Sequence, residues 1–205
     1  MMASPRTCSS RRRPAWGRAA DAVARLGGLY LAVTADGRGR IARVRIETAQ
    51  PPLRSAPASS AARAAARAIE SWEADPGPLA RLPRAPAPTP FQERLRAALV
   101  EIPAGEVRTY GELARALGTS PRAVGAGCRG NPLPLLVPCH RVVAVGGTGG
   151  FAGAREGPAA SLKAWLLARE GALENPGARS QMTGCSAAPQ AVRGPHACQR
   201  REPDP

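Results

Sequence analysis

Gly130-Asn131-Pro132-Leu133-Pro134-Leu135-Leu136-Val137-Pro138-Cys139-His140-Arg141-Val142-Val143 sets one cysteine and one histidine inside an apolar run bracketed by prolines. Such a run reads as a buried segment carrying a reactive pair. Pro138 fixes the backbone just before the thiol and removes a donor. The thiolate is the reactive form of cysteine, and a nearby histidine can deprotonate it. Neighbours in an extended segment point to opposite sides, so exchange between Cys139 and His140 calls for a bridging water. Taken bare, a Cys-His dipeptide also fits inert packing, the usual role of a buried cysteine.

Immediately upstream, Ser120-Pro121 has the form of an N-cap with proline at the first helical position, opening a helix from Arg122 to about Arg129. Tyr110 to Leu117 reads as a shorter helix stopped by Gly118, so the two suggest a helix-turn-helix. A helix pair of this kind also occurs without any contact to DNA. In the second helix, Arg122 and Arg129 are seven residues apart and share a face, while Ala123, Val124, Gly125, Ala126 and Gly127 between them add little bulk. Two glycines weaken a helix by roughly 1 kcal/mol each relative to alanine, which implies close approach to something. A neighbouring helix and a narrow nucleic-acid groove are both open as that partner.

Further out, Thr89-Pro90-Phe91-Gln92 predicts an N-cap completed as a capping box by Gln92, followed by a helix with Phe91, Leu95, Ala98, Leu99 and Ile102 on one face. Residues 75–88 are studded with proline and read as a linker that no regular element crosses. Before them, Ala61 to Trp72 is alanine-rich and helical in propensity. Gly28–Thr34 and Arg40–Ile46 flank Ala35-Asp36-Gly37-Arg38-Gly39, which predicts a β-hairpin. The expected class is α+β: a small N-terminal α/β unit (hairpin plus helix) over 19–87, then a mainly helical unit with the helix-turn-helix over 88–175. A basic Ser/Arg/Pro extension over 1–18 and a tail over 176–205 are expected to be disordered.

The formal charge is +14, and Lys163 is the only lysine. Such an excess suits a polyanion partner, because neutralised phosphates release counterions, and it also follows from GC-rich coding. The distribution is more telling: residues 108–141 hold Arg108, Arg115, Arg122, Arg129 and Arg141 against Glu112 alone. Five cysteines (Cys8, Cys128, Cys139, Cys185, Cys198) form an odd set without zinc-site spacing or a disulfide framework, which fits free thiols in a reducing cytosol. No apolar stretch is long enough for a membrane span, and no apolar segment follows Arg11-Arg12-Arg13 as a signal would require. A cytoplasmic location is expected.

The ordered set Arg122-Ala123-Val124-Gly125, Arg129-Gly130-Asn131-Pro132 and Val137-Pro138-Cys139-His140-Arg141-Val142-Val143 resembles the O6-alkylguanine-DNA alkyltransferase family. Arg108-Thr109-Tyr110-Gly111-Glu112-Leu113-Ala114 upstream and Trp165-Leu166-Leu167 downstream extend the likeness from about Thr89 to Gly171. The resemblance implies single-turnover repair of double-stranded DNA containing O6-alkylguanine, by a monomer with no cofactor and no metal. Cys139 matches the alkyl acceptor, His140 its activator through water, and Glu170 the carboxylate that orients the histidine. Asn131 matches the brace of the segment before the cysteine, and Tyr110 the residue that helps protonate the departing guanine. Arg122 matches the finger that replaces the extruded base. Arg129, Ala123 and Ala126 fall on the DNA-facing helix, and Val142, Phe151, Ala152 and Gly153 match the lining of the base pocket. Read from the residues alone, Glu170 also fits a helix end and Tyr110 a core position, and Cys128 beside the finger helix fits either packing or redox sensitivity.

The spacing between Gly153 and Leu162 is longer than the family's, with Ala154–Ala160 inserted beside the expected pocket. Three other readings compete: a lesion binder without transfer, against which Cys139 argues; a regulator, which would need a second DNA-binding domain; and a cysteine hydrolase, which would need an oxyanion site.

Overall fold

The computed structural model describes residues 19–55 and 57–174. The extension 1–18, the tail 176–205, and Cys8, Cys185 and Cys198 lie outside the described residues.

The expected hairpin is present as β2 (Leu29–Ala35) and β3 (Ile41–Glu47), antiparallel and turned at Asp36, whose Oδ1 accepts from the backbone N–H groups of Arg38 and Arg40 at 2.9 Å each. A further strand, β1 (Ala22–Leu26), pairs antiparallel with β2 and makes a sheet of order β1-β2-β3. Alanine at positions 22 and 24 hides this strand from a propensity reading. Its turn is Gly27-Gly28, both at positive φ, which suits the two-residue hairpin turn that needs left-handed backbone. A Cβ on Gly27 would stand 2.8 Å from Leu162 Cδ1, so this turn presses directly on the last helix.

Ser59 caps α1 (Ser60–Glu70), accepting from Ala62 N, and the helix buries Ala62, Ala65, Ala66, Ala68 and Ile69 against the sheet. Beyond its end Trp72 is buried. The 75–88 linker is corrected in one respect. It holds a short helix α2 (Gly77–Ala80) that buries Leu79, and Arg84 bridges to Ile41 at the edge of β3. Proline is tolerated because α2 has it at the first turn, where no amide donor is needed.

Thr89 caps α3 (Pro90–Val100), accepting from Gln92 N. The expected capping box is not made. Gln92 Oε1 meets the Thr89 hydroxyl at 3.2 Å rather than its backbone N–H, and Glu93 accepts instead from Ala87 N at 2.8 Å. The capping box belongs to α4 (Tyr110–Ala116), where Thr109 and Glu112 satisfy each other's backbone N–H groups. Thr109 also ends β4 (Arg108–Thr109), which pairs in parallel with β5 (Val142–Val143). Ser120 caps α5 (Pro121–Arg129), and α4 and α5 pack as the anticipated helix-turn-helix. Among the described residues the last helix is α6 (Pro158–Arg169). One continuous cluster of buried side chains runs from Leu31 and Ile41 of the sheet through Ile69 and Trp72 to Leu95, Val124, Cys139 and Leu166. Among the described residues no helix is long and apolar enough to cross a membrane.

Candidate active site

Cys139, His140 and Arg141 form a 3₁₀ turn, not an extended strand. β5 follows at once, and its pairing with β4 hangs the turn beside the start of α4, where Tyr110 is the first helical residue. The segment entering the turn is held from several sides. Asn131 Nδ2 donates to the Val137 carbonyl, and Arg84 donates to the Leu136 carbonyl, both at 3.1 Å. Val44 of β3 donates to the Pro132 carbonyl at 2.8 Å.

Asn131 Nδ2 also donates to Cys139 Sγ at 3.1 Å. Burial pushes the Cys139 thiol up from its ordinary value, while the Asn131 bond and the Lys163 cation work against that push. His140 is fully buried, with the Trp72 and Phe151 rings set edge-on at 6.4 Å. This desolvation pushes the imidazole below its ordinary range, while Glu170 works against that push. His140 Nε2 lies 3.1 Å from Glu170 Oε1. Burial would raise Glu170, but hydrogen bonds from His140 and Arg141 prevail and hold it down to about 2. A carboxylate only accepts, so a neutral ring facing it holds its proton on Nε2 and its lone pair on Nδ1. Nδ1 is buried without a hydrogen-bond partner among the described residues.

Lys163 completes the site. It is fully buried, and Nζ donates to the carbonyls of Val142 at 2.5 Å and Gly150 at 3.2 Å. Burial lowers it to about 8, against the opposing pull of Cys139 and Cys128. Tyr110 lies beneath it, the ring centroid 6.0 Å from Nζ, and is raised to about 12 by burial and then by the two cysteines. Its hydroxyl therefore keeps its proton through the neutral range. Cys128 is buried on the inner face of α5, and burial raises its thiol to about 12.

Arg122, Ala126 and Arg129 are exposed on the outer side of α5, and Ala123 is half-buried. The two glycines of this helix answer differently. A Cβ on Gly127 would stand 2.3 Å from Leu95 Cδ2 of α3, so this glycine serves helix packing. A Cβ on Gly125 would meet nothing within 4 Å, so this one faces open space. Among the expected pocket residues Val142 and Phe151 are buried, while Ala152 and Gly153 are the exposed corners of a tight turn closed by mutual bonds between Phe151 and Ala154. Gly153 lies against Arg129, a Cβ there standing 3.5 Å from its Cγ. The 154–160 insertion leaves Glu170 within reach of His140. Sequence reasoning missed Lys163, although a lone lysine among arginines was a signal, and it missed Arg141, whose partners come from distant segments.

A helix-turn-helix and, in the same fold, a buried cysteine with an amide donor beside an imidazole–carboxylate pair define a protein equipped for thiol chemistry. The model of the 6-O-methylguanine DNA methyltransferase DNA-binding domain matches residues 90–172. A methylated-DNA–protein-cysteine methyltransferase of Archaeoglobus fulgidus is 39% identical over 107 residues, covering 52% of this chain and 73% of that protein. The protein of that name from Thermococcus sibiricus is 44% identical over 84 residues, covering 40% of this chain and 45% of its own length. The crystal structure of the Mycobacterium tuberculosis O6-methylguanine methyltransferase superposes with a TM-score of 0.55 at 26% identity, covering 73% of this chain and 90% of that one. This chain belongs to the methylated-DNA–protein-cysteine methyltransferase family. It spans about half the length of several curated relatives it matches.

Proposed function

We propose that this protein repairs double-stranded DNA by irreversible transfer of the alkyl group of O6-alkylguanine to Cys139, each molecule reacting once. The observation that carries this reading is the pair of contacts that equips neighbouring Cys139 and His140, with Asn131 Nδ2 3.1 Å from Sγ and His140 Nε2 3.1 Å from the Glu170 carboxylate. His140 Nδ1, unprotonated and buried, takes the thiol proton through a water. The sulfur then attacks the alkyl carbon, the carbon–oxygen bond breaks, and the electron pair leaves with the guanine. Tyr110, still protonated, supplies a proton to the departing base. Lys163 supports the thiolate by charge and holds the backbone on either side of the expected pocket, at Val142 and Gly150.

A base inside a duplex is out of reach and must be flipped at a cost of a few kcal/mol. Exposed Arg122 fills the vacated place, with Ala123, Ala126 and Gly125 allowing α5 to approach the groove and Arg129 standing over the turn that carries Ala152 and Gly153. The unit over 88–175 carries the chemistry, and the unit over 19–87 supports it. The protein acts as a cytoplasmic monomer.

Incubation with a duplex bearing O6-methylguanine, followed by intact-mass measurement, should show one added methyl mapped to Cys139 and absent in Cys139→Ser. Tight lesion binding without an adduct would reassign the chain to the non-transferring binders.

A further inference from the structure

Arg141 has more structural commitments than any other side chain near the thiol. Its Nε and one terminal nitrogen grip Glu170 in a fork, with separations of 3.2 and 3.0 Å from Nε and 2.6 Å from NH2. Its other terminal nitrogen donates to the Ile102 carbonyl at 2.6 Å, just past the end of α3. Glu170 is 3% exposed and the Arg141 side chain 12%, so this pair is largely shielded from water. The charged groups facing His140 are Glu170 just past the end of α6, Lys163 within α6, and Arg141 beside it in the turn.

We infer that Arg141 is the positioning residue of the site: by gripping Glu170 as a carboxylate, it compels His140 to carry its proton on Nε2 and to present Nδ1 as the base. A carboxyl group without a cation in this shielded place would take up a proton and could then donate to Nε2, which would move the ring proton to Nδ1 and remove the base. The guanidinium prevents this with two donors in a fixed plane and uses a third to register the turn against α3. Lysine could supply the charge but not the fork. The inference deepens the alkyl-transfer reading and rests on it only for the kinetic half of its test.

The test begins without any alkyl donor. The chain has two histidines, His140 and His196, so nitrogen NMR of 15N-histidine-labelled full-length protein resolves the ring states. Wild type should show one neutral ring protonated on Nε2. In Arg141→Met that ring should lose the single tautomer, and the acid limb of methyl transfer to Cys139 should move up by about one pH unit, roughly tenfold in rate at a fixed pH on the limb. Arg141→Lys should fall between the two. A wild-type His140 protonated on Nδ1 overturns the inference, even if no variant folds. So does an Arg141→Met protein that melts lower but keeps the tautomer and the acid limb. Failure of wild type to gain a methyl, with the tautomer as stated, overturns the transfer reading and leaves the positioning role intact.

Discussion

Lys163 shows how much a single side chain can hold. It is a buried cation whose Nζ is satisfied by two main-chain carbonyls, and it faces two thiols and a tyrosine ring. Lys163→Met should leave the Val142 and Gly150 carbonyls unpaired, at about 1–3 kcal/mol each, and remove the charge that favours ionised Cys139. The measurable result is a Cys139 alkylation profile with iodoacetamide displaced to higher pH, together with a lower melting temperature; an unmoved profile would deny the electrostatic role. In wild type this support is present below about 8, where Lys163 is charged, and fades as pH rises beyond it. Cys139, His140, Asn131 and Tyr110 were legible from their motif. Lys163 and Arg141 were not, because their meaning lies in burial and in carbonyls contributed by segments 21 and 39 residues away.

Among the elements, α5 carries two glycines with opposite duties. Gly127→Ala forces a methyl into Leu95 and should cost about 1–3 kcal/mol by overpacking. Gly125→Ala meets no neighbour and should raise stability by about 1 kcal/mol through helix propensity, while slowing reaction on duplex DNA if, as proposed, this face of α5 enters the groove. Thermal melts of both variants decide the first contrast. Reaction rates on duplex against free O6-methylguanine decide the second, and equal rates for Gly125→Ala would place the groove elsewhere. Helix starts were readable at Thr89 and Ser120, which cap them with their own side chains, whereas α1 was read from its alanines and its cap Ser59 was passed over. The strand β1 was not readable, since alanines give little signal and its pairing with β2 exists only in the folded sheet. The 3₁₀ turn at Cys139 was likewise hidden, because β4–β5 pairing between segments some thirty residues apart decides where the extended chain resumes.

Across the whole molecule, acid should act chiefly through the core of the site. Glu170 is held down to about 2 from an ordinary 4.5, so its contribution is complete above 4.5 and disappears as pH falls toward 2. That window is worth on the order of 3 kcal/mol. Buried His140, also lowered from 6.5, acts in the same direction, because the unfolded chain takes up its proton first. Melting temperature should therefore decline below about pH 6.5 and steeply below 4.5, and Glu170→Gln should flatten the steep part; parallel curves would contradict the assignment. Trp72, from the N-terminal part, sets its ring against both His140 and Trp165, so Trp72→Ala should cost about 3–5 kcal/mol and slow Cys139 alkylation as well. Cys139 is 4% exposed, and its thiol is pushed upward by burial. On the proposed reading each molecule reacts once, so its thiol has to survive until it is used. The same enclosure that makes ionisation costly denies stray oxidants and electrophiles the thiolate they require, giving the idle molecule a shelf life and leaving its one reaction for a guest brought in from the helix-turn-helix side.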